Sequence, residues 1–174
     1  MIAQDAQGAE LALPWVEKAG GRYRALLDQE NVVGKLYGLK YVPVGILIDE
    51  GGHLVRAVKS VNIDDDAFRS ELTEWVKTDR VPEVWLERGA ELREMTPEEA
   101  EADARFQLGV VLLKNGKREQ AIDEFKAAML LDPENWLIRK QLWAIQTPSA
   151  FYDGAVDYGW QKEQMAKEAE LIEK

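Results

Sequence analysis

The stretch from Leu36 to Val58, LYGLKYVPVGILIDEGGHLVRAV, leaves the chain little choice of local fold. Val44-Gly45-Ile46-Leu47-Ile48 is a short, nearly continuous apolar run, the signature of a strand buried on both faces. Asp49-Glu50-Gly51-Gly52 follows as a turn, with two glycines free to take positive φ. His53 to Val58 then alternates, with Leu54, Ala57 and Val58 as its apolar members, which predicts a half-exposed strand near an edge. The two strands make an antiparallel hairpin. Pro43 stands at its mouth, where a residue without an N–H takes nothing from the ladder.

The flanking segments extend this pattern. Ile2-Ala3-Gln4-Asp5 reads as a preceding strand, Leu13 to Glu17 as part of a helix, and Asp66 to Val76 as a closing helix. In this order, Val42-Pro43, the apolar strand, Ile48-Asp49 and the Gly-Gly turn resemble the C-terminal half of a thioredoxin-like fold. The nearest branch is the redoxins, which are thiol–disulfide oxidoreductases and peroxiredoxin relatives. The resemblance covers residues 1–78. It implies a cis Val42–Pro43 bond beside a redox centre, and a partner-binding edge at Tyr41, Val42 and Pro43, where relatives hold an extended peptide or thiol partner. It also implies a redox-active strand and helix ahead of residue 1, so the sheet is expected to be incomplete. The missing strand belongs between residues 1–5 and 44–49. The expected outcome is either a homodimer through that open edge or a sheet in which residues 1–5 fill the gap.

The chain departs from this family in one decisive respect: it contains no cysteine. Disulfides, thiol catalysis and thiolate metal sites are therefore outside its chemistry. A chain of 174 residues has room for one domain or two small ones. The net charge of −10 argues against a nucleic-acid partner. No apolar run reaches the length of a membrane span, and no signal peptide opens the sequence, so as sequenced the chain reads as cytoplasmic. Relatives of the resembled family are often extracytoplasmic, and the compartment is left open.

Several shorter signals have plain structural explanations. A helix is predicted over 9–19, with Pro14 either kinking or restarting it and Gly20-Gly21 ending it. Residues 22–27 read as an extended link. Asp28 is placed to cap a helix from Gln29 to Tyr37, with Gly38 just past its end. After the hairpin, Asn62 or Asp64 is expected to cap a helix over 65–77 that buries Phe68, Leu72, Trp75 and Val76. The run Asp64-Asp65-Asp66 lacks the alternation of a calcium loop and reads as capping and dipole compensation. His53, the one histidine, has no second ligand or nucleophile to work with. Residues 79–101 hold eight acids and three bases, and 79–95 read as an acidic connector.

From Thr96 the pattern becomes helical. Thr96-Pro97-Glu98-Glu99 is a capping box with proline at the first helical position. Leu108, Gly109, Gly116, Ala121, Phe125, Ala128 and Pro133 then stand at the offsets of a 34-residue unit, Ala102 to Asn135, that resembles a tetratricopeptide repeat. Helices are expected over 98–114, 118–131 and 135–146. Arg105 stands where that repeat usually has a large aromatic. The resemblance places Phe106, Val110 and Leu113 on the concave face, where they line a groove for a partner. This groove is expected to be filled by a C-terminal helix or by a partner, because one repeat and a half cannot bury its own faces. The C-terminal helix, 157–172, carries Tyr158, Met165, Ala169 and Ile172 along one side. The aromatics between Trp136 and Trp160 read as core packing rather than a ligand box.

The predicted fold class is α/β plus α: an incomplete thioredoxin-like sheet with flanking helices over 1–78, an acidic connector over 79–95, tetratricopeptide-like helices over 96–147, and a capping helix over 148–174. Two functions follow from it. One is a redox-silent protein that binds a protein or peptide partner, without a cofactor or metal. The other is the C-terminal portion of a thiol- or selenol-dependent disulfide oxidoreductase or peroxiredoxin-like enzyme, with its catalytic residue upstream. No catalytic residue is assigned within the chain.

Overall fold

A computed structural model describes residues 1–20, 22–86 and 94–172, without the side chains of Leu86 and residues 170–172. Gly21 and residues 87–93 lie outside the described residues. The structure is mostly helical, with one two-stranded parallel sheet. It divides into two compact units, Met1–Lys40 together with Met95–Lys174, and Tyr41–Glu94.

The first unit begins with β1 (Ile2–Ala3), which leads into α1 (Ala9–Lys18). Pro14 lies inside α1 without ending it. Residues 22–27, expected as a link, contain β2 (Leu26–Leu27), and this short strand pairs parallel with β1. Next comes α2 (Val32–Leu36), which starts three residues later than predicted. The reason is local: the Asp28 carboxylate accepts the N–H groups of Val32 and Val33 at 2.7 and 2.8 Å, so the intervening residues turn before the helix begins. At its end Gly38 takes φ of 59°, Leu39 N–H donates to the Gly34 carbonyl and Gly38 N–H to that of Lys35. This is the Schellman ending that glycine permits.

The second unit is described by itself. The Val42–Pro43 bond is cis, as the resemblance implies. The predicted hairpin is present, but it does not form a continuous ladder. Gly45 bridges Lys59, and Ile48 bridges Leu54. Val55 N–H donates to the Leu47 carbonyl at 3.0 Å, and Asp49 N–H to that of His53 at 2.9 Å. Between the two bridged ends Ile46 faces three residues, Arg56, Ala57 and Val58, so the second strand bulges and regular pairing is lost there. The Asp49 carboxyl is held below its ordinary range chiefly by the hydrogen bond from His53 N–H. Among the described residues, 44–49 pair only within this hairpin, and residues 1–5 pair only with β2. The expected filling of the open edge by residues 1–5 is therefore not what the chain does.

Helix α3 (Asp66–Thr78) is capped by Asp65, whose side chain accepts from Ala67 and Phe68 N–H, rather than by Asn62 or Asp64. Its packed face is Phe68, Leu72 and Trp75, and Val76 is 74% exposed, contrary to expectation. The connector carries structure of its own. In α4 (Glu83–Leu86) Trp85 is buried against Phe68 and Trp75, with ring centroids 6.3 and 5.6 Å away, and donates to Glu71 at 2.7 Å.

The remaining helices belong to the first unit: α5 (Pro97–Lys114), α6 (Arg118–Leu131), α7 (Trp136–Gln146), α8 (Ser149–Tyr152) and α9 (Tyr158–Ile172). The first three match the predicted ranges to within a residue. The Thr96–Glu99 capping box forms, and Asn135 caps α7 by accepting from Leu137 and Ile138. Gly109 lets α5 and α6 close: a Cβ there would lie 3.1 Å from the Phe125 ring, which is itself in edge contact with Phe106. The core is built from Phe106, Val110, Phe125, Ala128, Ile138, Leu142 and Ile145, joined by Ala6.

The last helix packs on a face turned by about a quarter-turn from the predicted one. Tyr158 and Met165 are exposed. Trp160, Gln161, Gln164 and Glu168 face inward instead, because α7 presents polar partners: Arg139 and Trp143 both donate to Glu168. The expected aromatic packing is present, with Trp143 edge-on to Trp160 and Trp136. No helix among the described residues is long and apolar enough to cross a membrane.

Candidate functional site

The two sets of predicted partner residues lie in different units. Tyr41, Val42 and Pro43 are all exposed at the start of the Tyr41–Glu94 unit, immediately before the first hairpin strand. Their backbone makes no hydrogen bond within the protein among the described residues. The three residues form a solvent-facing bend around the cis bond.

Phe106, Val110 and Leu113 are in a different state. Phe106 and Val110 are 3% and 1% exposed, and Leu113 is partly buried. Against Phe106 lies the chain's own N-terminal segment rather than α9. Residues Gln4-Asp5-Ala6 lie across the face formed by Phe106, Leu137 and Gln141, enclosing with Asp28, Gln29 and Asn31 a cavity of about 10 Å³. That is room for about one water molecule.

The segment is held by its backbone. The Gln141 side-chain amide accepts from Ala6 N–H at 2.8 Å and donates to the Gln4 carbonyl at 2.9 Å. A side-chain amide that pairs both ways with alternate main-chain groups treats the segment as a strand would. Ala6 itself is fully buried in the core cluster, with no room for a larger side chain without displacement.

Polar contacts fix the register. Tyr152 donates its hydroxyl to Asp5 at 2.9 Å and accepts from Gln7 at 3.0 Å. Burial pushes the Asp5 carboxyl up, opposed by hydrogen bonds from Gln7 N–H, Tyr152 and Gly8 N–H. Burial also drives the Tyr152 hydroxyl well above its ordinary range, helped by the neighbouring Asp5 charge. Further along, Lys35 pairs with Asp103 at 2.7 Å and Lys114 with Glu30 at 2.6 Å, and Gln107 donates to the Glu30 carbonyl. Lys40 bridges Glu99 at 2.5 Å and Asp132 at 2.6 Å. Burial alone would lower the Lys40 ammonium pKa, but hydrogen bonds and charges from Asp132 and Glu99 outweigh it and raise it.

Gln141, Tyr152, Asp5 and Ala6 were not singled out by the sequence pattern. Gln141 is the one of these with a visible signal, an amide on the helix face that Leu137, Ile138, Leu142 and Ile145 otherwise make apolar. Among the described residues no group of three or more His, Cys, Asp or Glu is placed to hold a metal ion. The segment is held by shape and by hydrogen bonds. Comparison with protein-family models, with curated proteins and with solved structures returns no match.

Proposed function

We propose that the chain is a redox-silent protein-interaction module, a thioredoxin-like hairpin unit combined with tetratricopeptide-like helices, whose partner is an extended stretch of protein. The observation that carries this reading is the clamp at Gln141, which pairs with the backbone of Gln4 and Ala6 above Phe106. A face that accepts a backbone in this way, beside an apolar floor, has the chemistry of peptide recognition. Tyr41, Val42 and Pro43 form the second contact edge in this reading. Association of two copies along the outer edge of residues 44–49 belongs to the same reading, and sedimentation at rising concentration tests it.

A peptide of residues 1–10, labelled with a fluorophore, tests the groove. Ala6→Asp places a charge at a fully buried position and ejects the chain's own segment. The labelled peptide should bind this variant and should lose binding when Gln141→Ala is added. Circular dichroism checks that the helices survive. Intact helices with no peptide binding would overturn the reading.

The second reading is the C-terminal portion of a thiol- or selenol-dependent oxidoreductase. It is favoured by the order of Pro43, hairpin and α3 within one unit. The 174-residue chain has no thiol and should not reduce insulin or peroxide. Turnover by a longer chain with an upstream redox cysteine, impaired by Pro43→Ala, would favour this alternative.

A further inference from the structure

The outer edge of β2 is unpaired. Leu26 N–H donates to the Met1 carbonyl and Asp28 N–H to that of Ala3, so the even-numbered residues of this strand turn their backbone groups toward β1. Alternation points the N–H and C=O groups of Ala25 and Leu27 to the opposite side. No backbone hydrogen bond is made on that side among the described residues, and every residue from Arg22 to Leu27 is exposed. The outer side of β1 is not equivalent, because Gln141 already holds its next outward carbonyl, that of Gln4. The sheet is also short of strands. Two alone are marginal in water, yet Ile2, Leu26 and Leu27 are all exposed upon it.

The charges around β2 indicate which strand fits. The run Arg22-Tyr23-Arg24-Ala25-Leu26-Leu27-Asp28-Gln29-Glu30 carries two bases at one end and two acids at the other, with Leu26 at its midpoint. Both arginines are exposed, and neither forms an ion pair among the described residues. Asp28 is turned into the cap of α2 and acts through its charge, whereas the Glu30 side chain is half-exposed. We propose that the outer edge of β2 takes β2 of a second copy of this chain, antiparallel, with the two-fold axis at Leu26. In this register Ala25 stands opposite Leu27 as a hydrogen-bonded pair, twice over, and Leu26 opposite Leu26 as a non-hydrogen-bonded one. A slip of one residue sets the outward groups of one strand against the inward groups of the other. Parallel pairing sets arginine beside arginine. The antiparallel arrangement brings the basic end of each strand to the acidic end of the other and joins the two sheets in the order β1-β2-β2-β1. An unrelated extended peptide could satisfy the same backbone groups but has no reason to match this charge order. The join uses no residue of the 44–49 edge and does not depend on peptide binding at the Gln141 groove.

The test exploits the absence of cysteine from the chain. Three variants of the full 174-residue protein each carry one thiol at an exposed position: Leu26→Cys, Leu27→Cys and, in the other unit, Ile48→Cys. Across the two-fold axis the Cβ atoms at position 26 stand about 4.5 Å apart, at the limit of disulfide geometry, whereas those at position 27 lie on a diagonal of about 7–8 Å, beyond it. Under mild oxidation Leu26→Cys should form a covalent dimer at least about tenfold faster than either of the others. A short contact of this kind is weak, so sedimentation equilibrium of the unmodified chain should show monomer and dimer in exchange at concentrations up to roughly 1 mM. Arg22→Glu combined with Arg24→Glu should weaken that association at least about tenfold, because each substitution enters a two-fold contact twice. Circular dichroism checks that the helices of the variants are intact. An unmodified chain that stays monomeric over the whole range overturns the proposal, whether or not the variants fold. A dimer indifferent to the two arginine substitutions overturns it too, as does crosslinking of Leu27→Cys as fast as Leu26→Cys. Fast crosslinking of Ile48→Cys alone overturns it in favour of the 44–49 edge.

Discussion

Replacing Lys40 with methionine keeps most of the side chain's volume and removes only its charge. In the native protein that charge is shared by Glu99 and Asp132, whose side chains are 15% and 8% exposed, while Lys40 is 27% exposed. Without it, two neighbouring carboxylates face each other in a poorly solvated site. Removing one partner of a fully buried pair costs about 3–5 kcal/mol. Partial exposure of Lys40 screens the effect, so roughly 2 kcal/mol is the reasonable expectation. For a chain of this size that is a fall in melting temperature of about 4–8 °C. Thermal unfolding followed by far-ultraviolet circular dichroism reads the helices of this unit directly.

Two further controls give this experiment its edge. Adding Asp132→Asn to Lys40→Met should return part of the loss, because the remaining carboxylate no longer faces a second one. The pH dependence also has a definite sign. The Lys40 pKa is raised above 10.5, so its contribution is fully present below that value and is lost as pH rises through the folded-state pKa. The gap between wild type and Lys40→Met should therefore be constant near neutrality and close at strongly alkaline pH. An unchanged melting temperature for Lys40→Met at neutral pH would refute the argument that this bridge ties residue 40 to the helices.

Gly109→Val should destabilise the same unit by about 2–3 kcal/mol in urea unfolding, since even a Cβ meets the Phe125 ring at 3.1 Å and that ring is fully buried; a neutral result would mean that α5 and α6 separate more easily than their packing indicates. Asp5→Asn should flatten the acid side of the stability profile. The Asp5 pKa is raised above 3.8 by burial, so the folded state binds its proton more tightly than the unfolded one, and the wild type should gain stability as pH falls toward 3.8 while the variant lacks that gain. Identical slopes for the two proteins in urea unfolding over that window would contradict it.

The helices α5 to α7 were legible because their signals are local. Thr96 with Glu99, Asn115-Gly116, and Asp132 with Asn135 each determine where a helix starts or stops through contacts within a few residues. The hairpin was legible for the same reason, although its bulge opposite Ile46 was not, since alternation along one strand says nothing about the count on the other. What covers Phe106 was hidden, because Ala6 and Gln141 are 135 residues apart and no periodicity links them. The orientation of α9 failed for an instructive reason. Its apolar stripe at Tyr158 and Met165 is the obvious face to bury, yet Arg139 and Trp143 on α7 donate to Glu168, which lies on the neighbouring face. Trp85 was lost in an acidic stretch whose net charge outweighed one buried aromatic.

The way residues 4–7 occupy the groove determines what any partner must overcome. The lysine pairs along the segment join flexible, partly exposed side chains; the Lys35 and Lys114 pairs in particular fix position more than they add strength. The strength resides in Ala6 against the core and in the Gln141 clamp, and both depend on backbone shape that other sequences share. A tethered segment competes at an effective concentration of order millimolar. A free peptide with the same contacts therefore displaces half of it only at about millimolar concentration. To act at micromolar concentration, a partner must bind about a thousandfold more tightly than the chain's own segment, a difference of about 4 kcal/mol. Further contacts at the exposed Tyr41–Pro43 edge do not help a peptide that reaches only the groove, whereas a protein engaging both units adds their free energies. If the groove takes a partner as proposed, it would select against short peptides and in favour of partners with a second point of attachment. A micromolar affinity of the unmodified chain for the isolated 1–10 peptide would show that its own segment is held far more loosely than its hydrogen bonds imply.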